Sequence, residues 1–126
     1  MVNINKKILI VEDDKNFLWI LKQSFQTEGF LVLTAENGEL GLDIAGREKP
    51  DISLLGILMP KMDGITVSKK LKETGNPAQI MFLTNLKDVQ HISEAMESVE
   101  ETDYIVKSDV HVDVVVAMVK DKLGIK

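Results

Sequence analysis

Three acids in a row, Glu12-Asp13-Asp14, close an apolar run, Ile8-Leu9-Ile10-Val11. A second run, Ile52-Ser53-Leu54-Leu55, ends in Gly56 and leads into Met59-Pro60-Lys61-Met62-Asp63-Gly64. Thr84 closes a further apolar run, and Lys107 closes another. Hard divalent ions such as Mg²⁺ take carboxylate and carbonyl oxygens in octahedral array and keep several waters. Glu12 and Asp13 therefore suit one direct and one water-bridged ligand. Lys107 suits a phosphoryl oxygen as a point charge, and the Thr84 hydroxyl suits another. What is absent is a nucleophile, because Gly56 has no side chain. The two histidines, His91 and His111, read as ordinary helix and loop residues, since nothing places either beside a nucleophile.

Each of these groups follows a short apolar run, and the runs alternate with helical patterns. Strands are expected at 7–11, 31–34, 52–55, 80–83 and 104–106, and helices at about 16–28, 40–48, 65–73, 89–98 and 112–123. Continuously apolar, mostly branched runs such as Ile8-Leu9-Ile10-Val11 fit strands buried on both faces of a parallel sheet. Gly29 stands where a left-handed residue commonly ends a helix. Pro50 and Pro77 fall in loops just ahead of the third and fourth strands. The alternation implies an α/β domain over residues 1–126, with right-handed crossovers and helices on both faces of the sheet. Ligands of such sheets bind beyond the carboxyl ends of the strands, at the topological switch point. Glu12, Asp13, Gly56, Thr84 and Lys107 should converge there. In the first helix Phe17, Leu18, Leu21 and Phe25 follow the core stripe, while Trp19 and Ile20 fall partly off it.

Composition narrows the function classes. A chain of 126 residues with 44% hydrophobic and 28% charged content is one globular domain's worth. With no cysteine, neither a disulfide framework nor a zinc-thiolate site can form. No apolar run approaches the ~18 residues of a membrane span, and the N-terminus lacks a signal-peptide core, so the cytoplasm is the expected compartment. A net charge of −5 argues against nucleic-acid binding. Without a G-x-G-x-x-G or a Gly-rich loop after the first strand, a flavin- or nucleotide-binding enzyme is a poor reading. The chain stops at Leu123-Gly124-Ile125-Lys126 with no output domain in view, as a stand-alone module or a piece of a longer protein would.

The joint pattern is more specific than its parts. The acid pair, Leu54-Leu55-Gly56-Ile57-Leu58-Met59-Pro60-Lys61-Met62-Asp63-Gly64, Leu83-Thr84 and Asp103-Tyr104-Ile105-Val106-Lys107 together resemble the receiver domain of two-component response regulators, over nearly the whole chain. The resemblance implies a flavodoxin-like, doubly wound five-stranded parallel sheet of order 2-1-3-4-5. It implies a phosphorelay signalling role rather than an enzyme. It matches Glu12 and Asp13 to the metal-binding acids, the Leu58 carbonyl to the third protein ligand for Mg²⁺, Thr84 to the switch hydroxyl, Tyr104 to the switch aromatic and Lys107 to the family lysine. Gly56 then occupies the position of the phosphoacceptor aspartate. The implied partners are a histidine kinase or phosphotransfer protein, docking on a first-helix face that includes Phe17, Trp19 and Ile20. A homodimer through the fourth helix, fifth strand and fifth helix is also implied.

Several residues depart from the family pattern. Gly56 removes both acceptor and metal ligand, so Mg²⁺ should bind weakly or not at all. Asn85 stands beside Thr84 in place of a small residue, Ser108 replaces a proline after Lys107, Glu100-Glu101-Thr102 replaces a Gly-Ala, and Ser53 interrupts the third apolar run. Gly56 either eases a tight strand-to-loop turn or marks a lost acceptor, natural or introduced. The competing function is a pseudo-receiver that docks or dimerises independently of phosphate.

Overall fold

The computed structural model describes residues 4–76, 78–84, 103–106 and 111–125. Five strands, β1 (Lys7–Val11), β2 (Leu31–Ala35), β3 (Ile52–Gly56), β4 (Gln79–Thr84) and β5 (Asp103–Val106), are crossed by helices α1 (Lys15–Thr27), α2 (Gly38–Glu48), α3 (Gly64–Glu73) and α4 (Val112–Lys122). The strands form one sheet in the order β2-β1-β3-β4-β5, all pairs parallel. This is the flavodoxin-like order that the receiver resemblance implied. The predicted helix at 89–98 lies outside the described residues, as do Pro77, Asn85, Lys107 and Ser108.

Both sheet faces are buried, which explains the continuously apolar strands. Ile8, Ile10, Ile52, Leu54, Met81 and Leu83 pack on one face with Leu21 and Phe25 of α1 and Val115 and Val119 of α4. Leu9, Val11, Leu55, Ile80 and Phe82 point the other way, onto Ala45 of α2 and Val67 and Leu71 of α3. Ser53 breaks the apolar run but not the ladder, pairing with Leu9 on one side and Ile80 on the other. It is fully buried, and its hydroxyl finds no hydrogen-bond partner among the described residues. Gly29, at φ 97, follows α1 in the left-handed conformation its position implied.

Helix starts differ from expectation in one direction. α1 begins at Lys15, α2 at Gly38 and α3 at Gly64, each ahead of the apolar periodicity. The reason is capping. Asp14 Oδ1 accepts from the Asn16 and Phe17 amides at 3.1 and 3.2 Å. Asn37 Oδ1 accepts from Leu40 N–H at 2.9 Å, and Asp63 Oδ1 from Thr66 N–H at 2.8 Å. Each cap satisfies an orphan donor of the first turn and is worth ~1 kcal/mol.

Candidate functional site

The register brings the carboxyl ends of three strands level. Val11 pairs with Leu55, and Gly56 with Leu83. Beyond β1 the Glu12 amide donates to the Ala35 carbonyl at 3.0 Å, which ties the acid loop to the end of β2. Glu12 is fully buried, and its Oε2 accepts the Asp14 amide at 2.9 Å. Asp13 is exposed and lines an open cleft of about 730 Å³ with Leu58, Met59, Lys61, Met62 and Asp63. The acid pair thus divides, one carboxylate beneath the surface and one facing the cleft. Asp14, the third acid of the run, spends its carboxylate on the α1 cap.

Beyond β3 the chain turns from Gly56 to Gly64 under tight constraint. The Ile57 amide donates to the Leu83 carbonyl at 3.0 Å, and the Gly64 amide to the Ile57 carbonyl at 2.9 Å. A β-carbon on Gly64 would fall 2.1 Å from the Gly56 carbonyl oxygen. A β-carbon on Gly38 would fall 1.9 Å from the Met62 carbonyl oxygen. These two glycines let the loop lie directly on the starts of α2 and α3, with Lys61 at φ 70 completing the turn. Leu58 is 49% exposed, so its peptide sits at the cleft rim.

Gly56 differs from both. It is a regular, buried residue of β3 and lies outside the left-handed region. The backbone does not require glycine here, which removes the tight-turn reading. A β-carbon on Gly56 would lie 3.3 Å from Met59 Cγ, Met59 Sδ and the Val11 carbonyl oxygen. The Val11 contact places Gly56 against the root of the acid loop.

The structure therefore gathers Glu12, Asp13, Gly56 and Leu58 at one edge. Thr84 closes β4 at the same edge, and Tyr104 lies in β5, in register with Phe82. Lys107 lies outside the described residues. On α1, Trp19 is 62% and Ile20 43% exposed, while Phe17 packs partly against the core. Sequence reasoning missed the capping roles of Asp14 and Asp63, although an Asp just ahead of each helix was the available signal.

Residues 8–120 match the family model for the response regulator receiver domain. The chain belongs to that family. Among relatives of this receiver domain, the alkaline phosphatase synthesis transcriptional regulatory protein PhoP of Bacillus subtilis is 40% identical over 64% of this chain and 34% of its own length. Sporulation initiation phosphotransferase F of the same organism is 35% identical over 75% of this chain and 76% of its own. The chain thus spans about a third of PhoP and about three quarters of phosphotransferase F. A chain of the CheX-CheY-BeF3-Mg²⁺ complex from Borrelia burgdorferi superposes with a TM-score of 0.81 at 29% identity, covering 94% of this receiver domain and 89% of that chain. Among the described residues no helix is long and apolar enough to cross a membrane.

Proposed function

We propose that this receiver domain has lost its phosphoacceptor at Gly56 and signals, where it signals, through protein contacts that need no phosphate. The observation that carries the reading is Gly56 itself. It sits at the carboxyl end of β3, against the Val11 carbonyl and beneath the loop that borders the Asp13 cleft. That is where a phosphoryl-accepting carboxylate is needed, and glycine offers no nucleophile. Thr84, Lys107 and Tyr104 are the supporting hydroxyl, lysine and switch aromatic in this reading.

The donors present fit a hard cation incompletely. Among the described residues no cluster of three or more His, Cys, Asp or Glu could hold a metal. Asp13 and the Leu58 carbonyl would hold Mg²⁺ directly, with Glu12 acting through water from its buried position. When bound, the ion would offset the negative charge of the acid loop and of any phosphoryl group there. One carboxylate fewer makes this a weak site.

The partner in this reading is a histidine kinase or phosphotransfer protein, met by α1. Trp19 and Ile20 expose large apolar surface beside the acid loop, and an exposed Trp suits an interface anchor. A homodimer on the β5 side is a further contact open to such a module. The deciding measurement is intact mass after incubation with acetyl phosphate and Mg²⁺. The present chain should gain nothing, and Gly56→Asp should gain one phosphate. A phosphate on the unaltered chain would overturn the reading and point to a substitute acceptor such as Asp13.

A further inference from the structure

We infer that the outer edge of β2 pairs, antiparallel, with the β2 edge of a second copy of this chain. β2 ends the sheet, with β1 on its inner side and, among the described residues, no strand on its outer side. The Leu31 amide donates to the Lys6 carbonyl at 2.9 Å, and the Ala35 carbonyl accepts from the Glu12 amide at 3.0 Å. Backbone groups alternate in direction along a strand, so Val32 and Thr34 turn their N–H and C=O groups outward. Such an edge is normally guarded by a charge, a proline, a bulge or a covering segment. Leu31-Val32-Leu33-Thr34-Ala35 has no charge and no proline, and it pairs with β1 residue for residue, without a bulge.

Apolar side chains flank this edge from both faces of the sheet. On α1, Leu18, Leu21 and Phe25 are buried, while Ser24 and Thr27 line the crevice toward α4. At 3.6 residues per turn, Trp19 falls on the opposite flank, the one over β2. On α2, Gly38, Gly41 and Ala45 are buried, while Leu42 and Gly46 line the groove toward α3. Leu40 falls on the flank away from α3. Trp19, Leu31 and Leu40, at 62%, 60% and 48%, are three of the four most exposed large apolar side chains among the described residues. One exposed apolar residue needs no explanation, but three around an unpaired strand form a patch.

Charge identifies the occupant. The exposed Glu36 follows β2 at one end of the edge, and Lys6 stands beside Phe30 at the other, one step before the Lys7–Leu31 pair. Among the described residues neither is in an ion pair. A two-fold axis through Leu33 sets Val32 of each copy against Thr34 of the other, and each such pair exchanges two hydrogen bonds. It also sets Glu36 of each copy opposite Phe30 of the other, one strand from Lys6. A parallel approach would bring Glu36 against Glu36, in the weaker kind of ladder. The patch is small, so the dimer is weak, with a Kd on the order of 10–100 µM. It needs neither phosphate nor a side chain at position 56, and it lies at the opposite edge of the sheet from β5.

Sedimentation equilibrium of the unaltered chain up to ~1 mM reads the association. A monomer–dimer equilibrium is expected, with deuterium exchange at the Val32 and Thr34 amides slowing as concentration rises. Leu31→Glu brings an acid near the second copy's Glu36 and should weaken the dimer at least about tenfold. Thr34→Pro removes an outward N–H while leaving the bonds to β1 in place, and should do the same. Circular dichroism checks folding, and Leu31→Glu, at an exposed position, carries the test if Thr34→Pro does not fold. Glu36→Lys should weaken the dimer about threefold at low salt, and adding Lys6→Glu should restore it. No restoration overturns the antiparallel pairing. A chain that stays monomeric overturns the proposal and leaves the edge to a strand of another protein. A dimer insensitive to Leu31→Glu overturns it too and points to the β5 side. None of these results bears on the lost-acceptor reading, which phosphorylation decides.

Discussion

A β-carbon on Gly64 would strike the Gly56 carbonyl oxygen at 2.1 Å, whereas one on Gly56 would press a flexible thioether and the Val11 carbonyl oxygen at 3.3 Å. The two residues bracket one loop. Gly64 serves the architecture, because only a missing side chain lets α3 start against the end of β3. Gly56 serves no such need, since its backbone is ordinary strand. Glycine at one end of the loop is a packing requirement. At the other, under the proposed function, it removes chemistry and leaves the scaffold standing.

Three measurements press on this contrast. The largest effect is expected from Gly64→Ala, which should lower stability by ~3 kcal/mol through forced overpacking. Gly56→Ala should stay within ~1 kcal/mol of the parent, because relief of glycine's strand entropy offsets the push on Met59. Urea unfolding of both variants checks this, and equal losses would dissolve the distinction. A smaller effect concerns the metal. The present chain should approach saturation only above ~1 mM Mg²⁺, and Gly56→Asp should tighten binding about tenfold by restoring a carboxylate ligand. Following the chemical shifts of Glu12, Asp13 and Leu58 through a titration reads both numbers. Tight binding by the unaltered chain would mean that Gly56 silences transfer without weakening the metal site. The smallest effect is at α1. If the change at position 56 is local, the present chain and Gly56→Asp should bind a phosphotransfer partner equally without a phosphoryl donor. Trp19→Ala should then weaken both by more than ~1 kcal/mol while shifting stability by less than ~0.5 kcal/mol. Destabilisation with unchanged binding would make Trp19 a structural residue.

The sheet was legible in the sequence because strands buried on both faces leave continuous apolar runs, and Ile8-Leu9-Ile10-Val11 is such a run. The gathering of Glu12, Asp13 and Gly56 followed from the switch-point rule, whereas Leu58 came from the family resemblance. Helix starts were less legible. Apolar periodicity begins at Leu40 and Ile65, but Asn37 and Asp63 cap the helices earlier, and the glycines after them carry no periodic signal. The function of those glycines was hidden for a different reason. Whether Gly38, Gly56 or Gly64 is glycine for backbone, packing or chemistry depends on which atoms lie opposite, and that is a tertiary fact. Ser53 looked like a break and proved to be a paired, buried strand residue.

The buried Glu12 is joined to the start of α1 by two steps. The Asp14 amide donates to Glu12 Oε2, and the Asp14 carboxylate in turn holds the Asn16 and Phe17 amides. Those three amides are therefore a native spectroscopic gauge of the buried acid. Any draw on the Glu12 carboxylate, by a cation or a proton, loosens the first bond and registers as a shift or faster deuterium exchange at Asp14. It then reaches the opening turn of the helix that carries Trp19. The occupancy of the acid loop can thus be read, without a fluorophore or tag, from the backbone signals of three neighbouring residues outside the cleft itself.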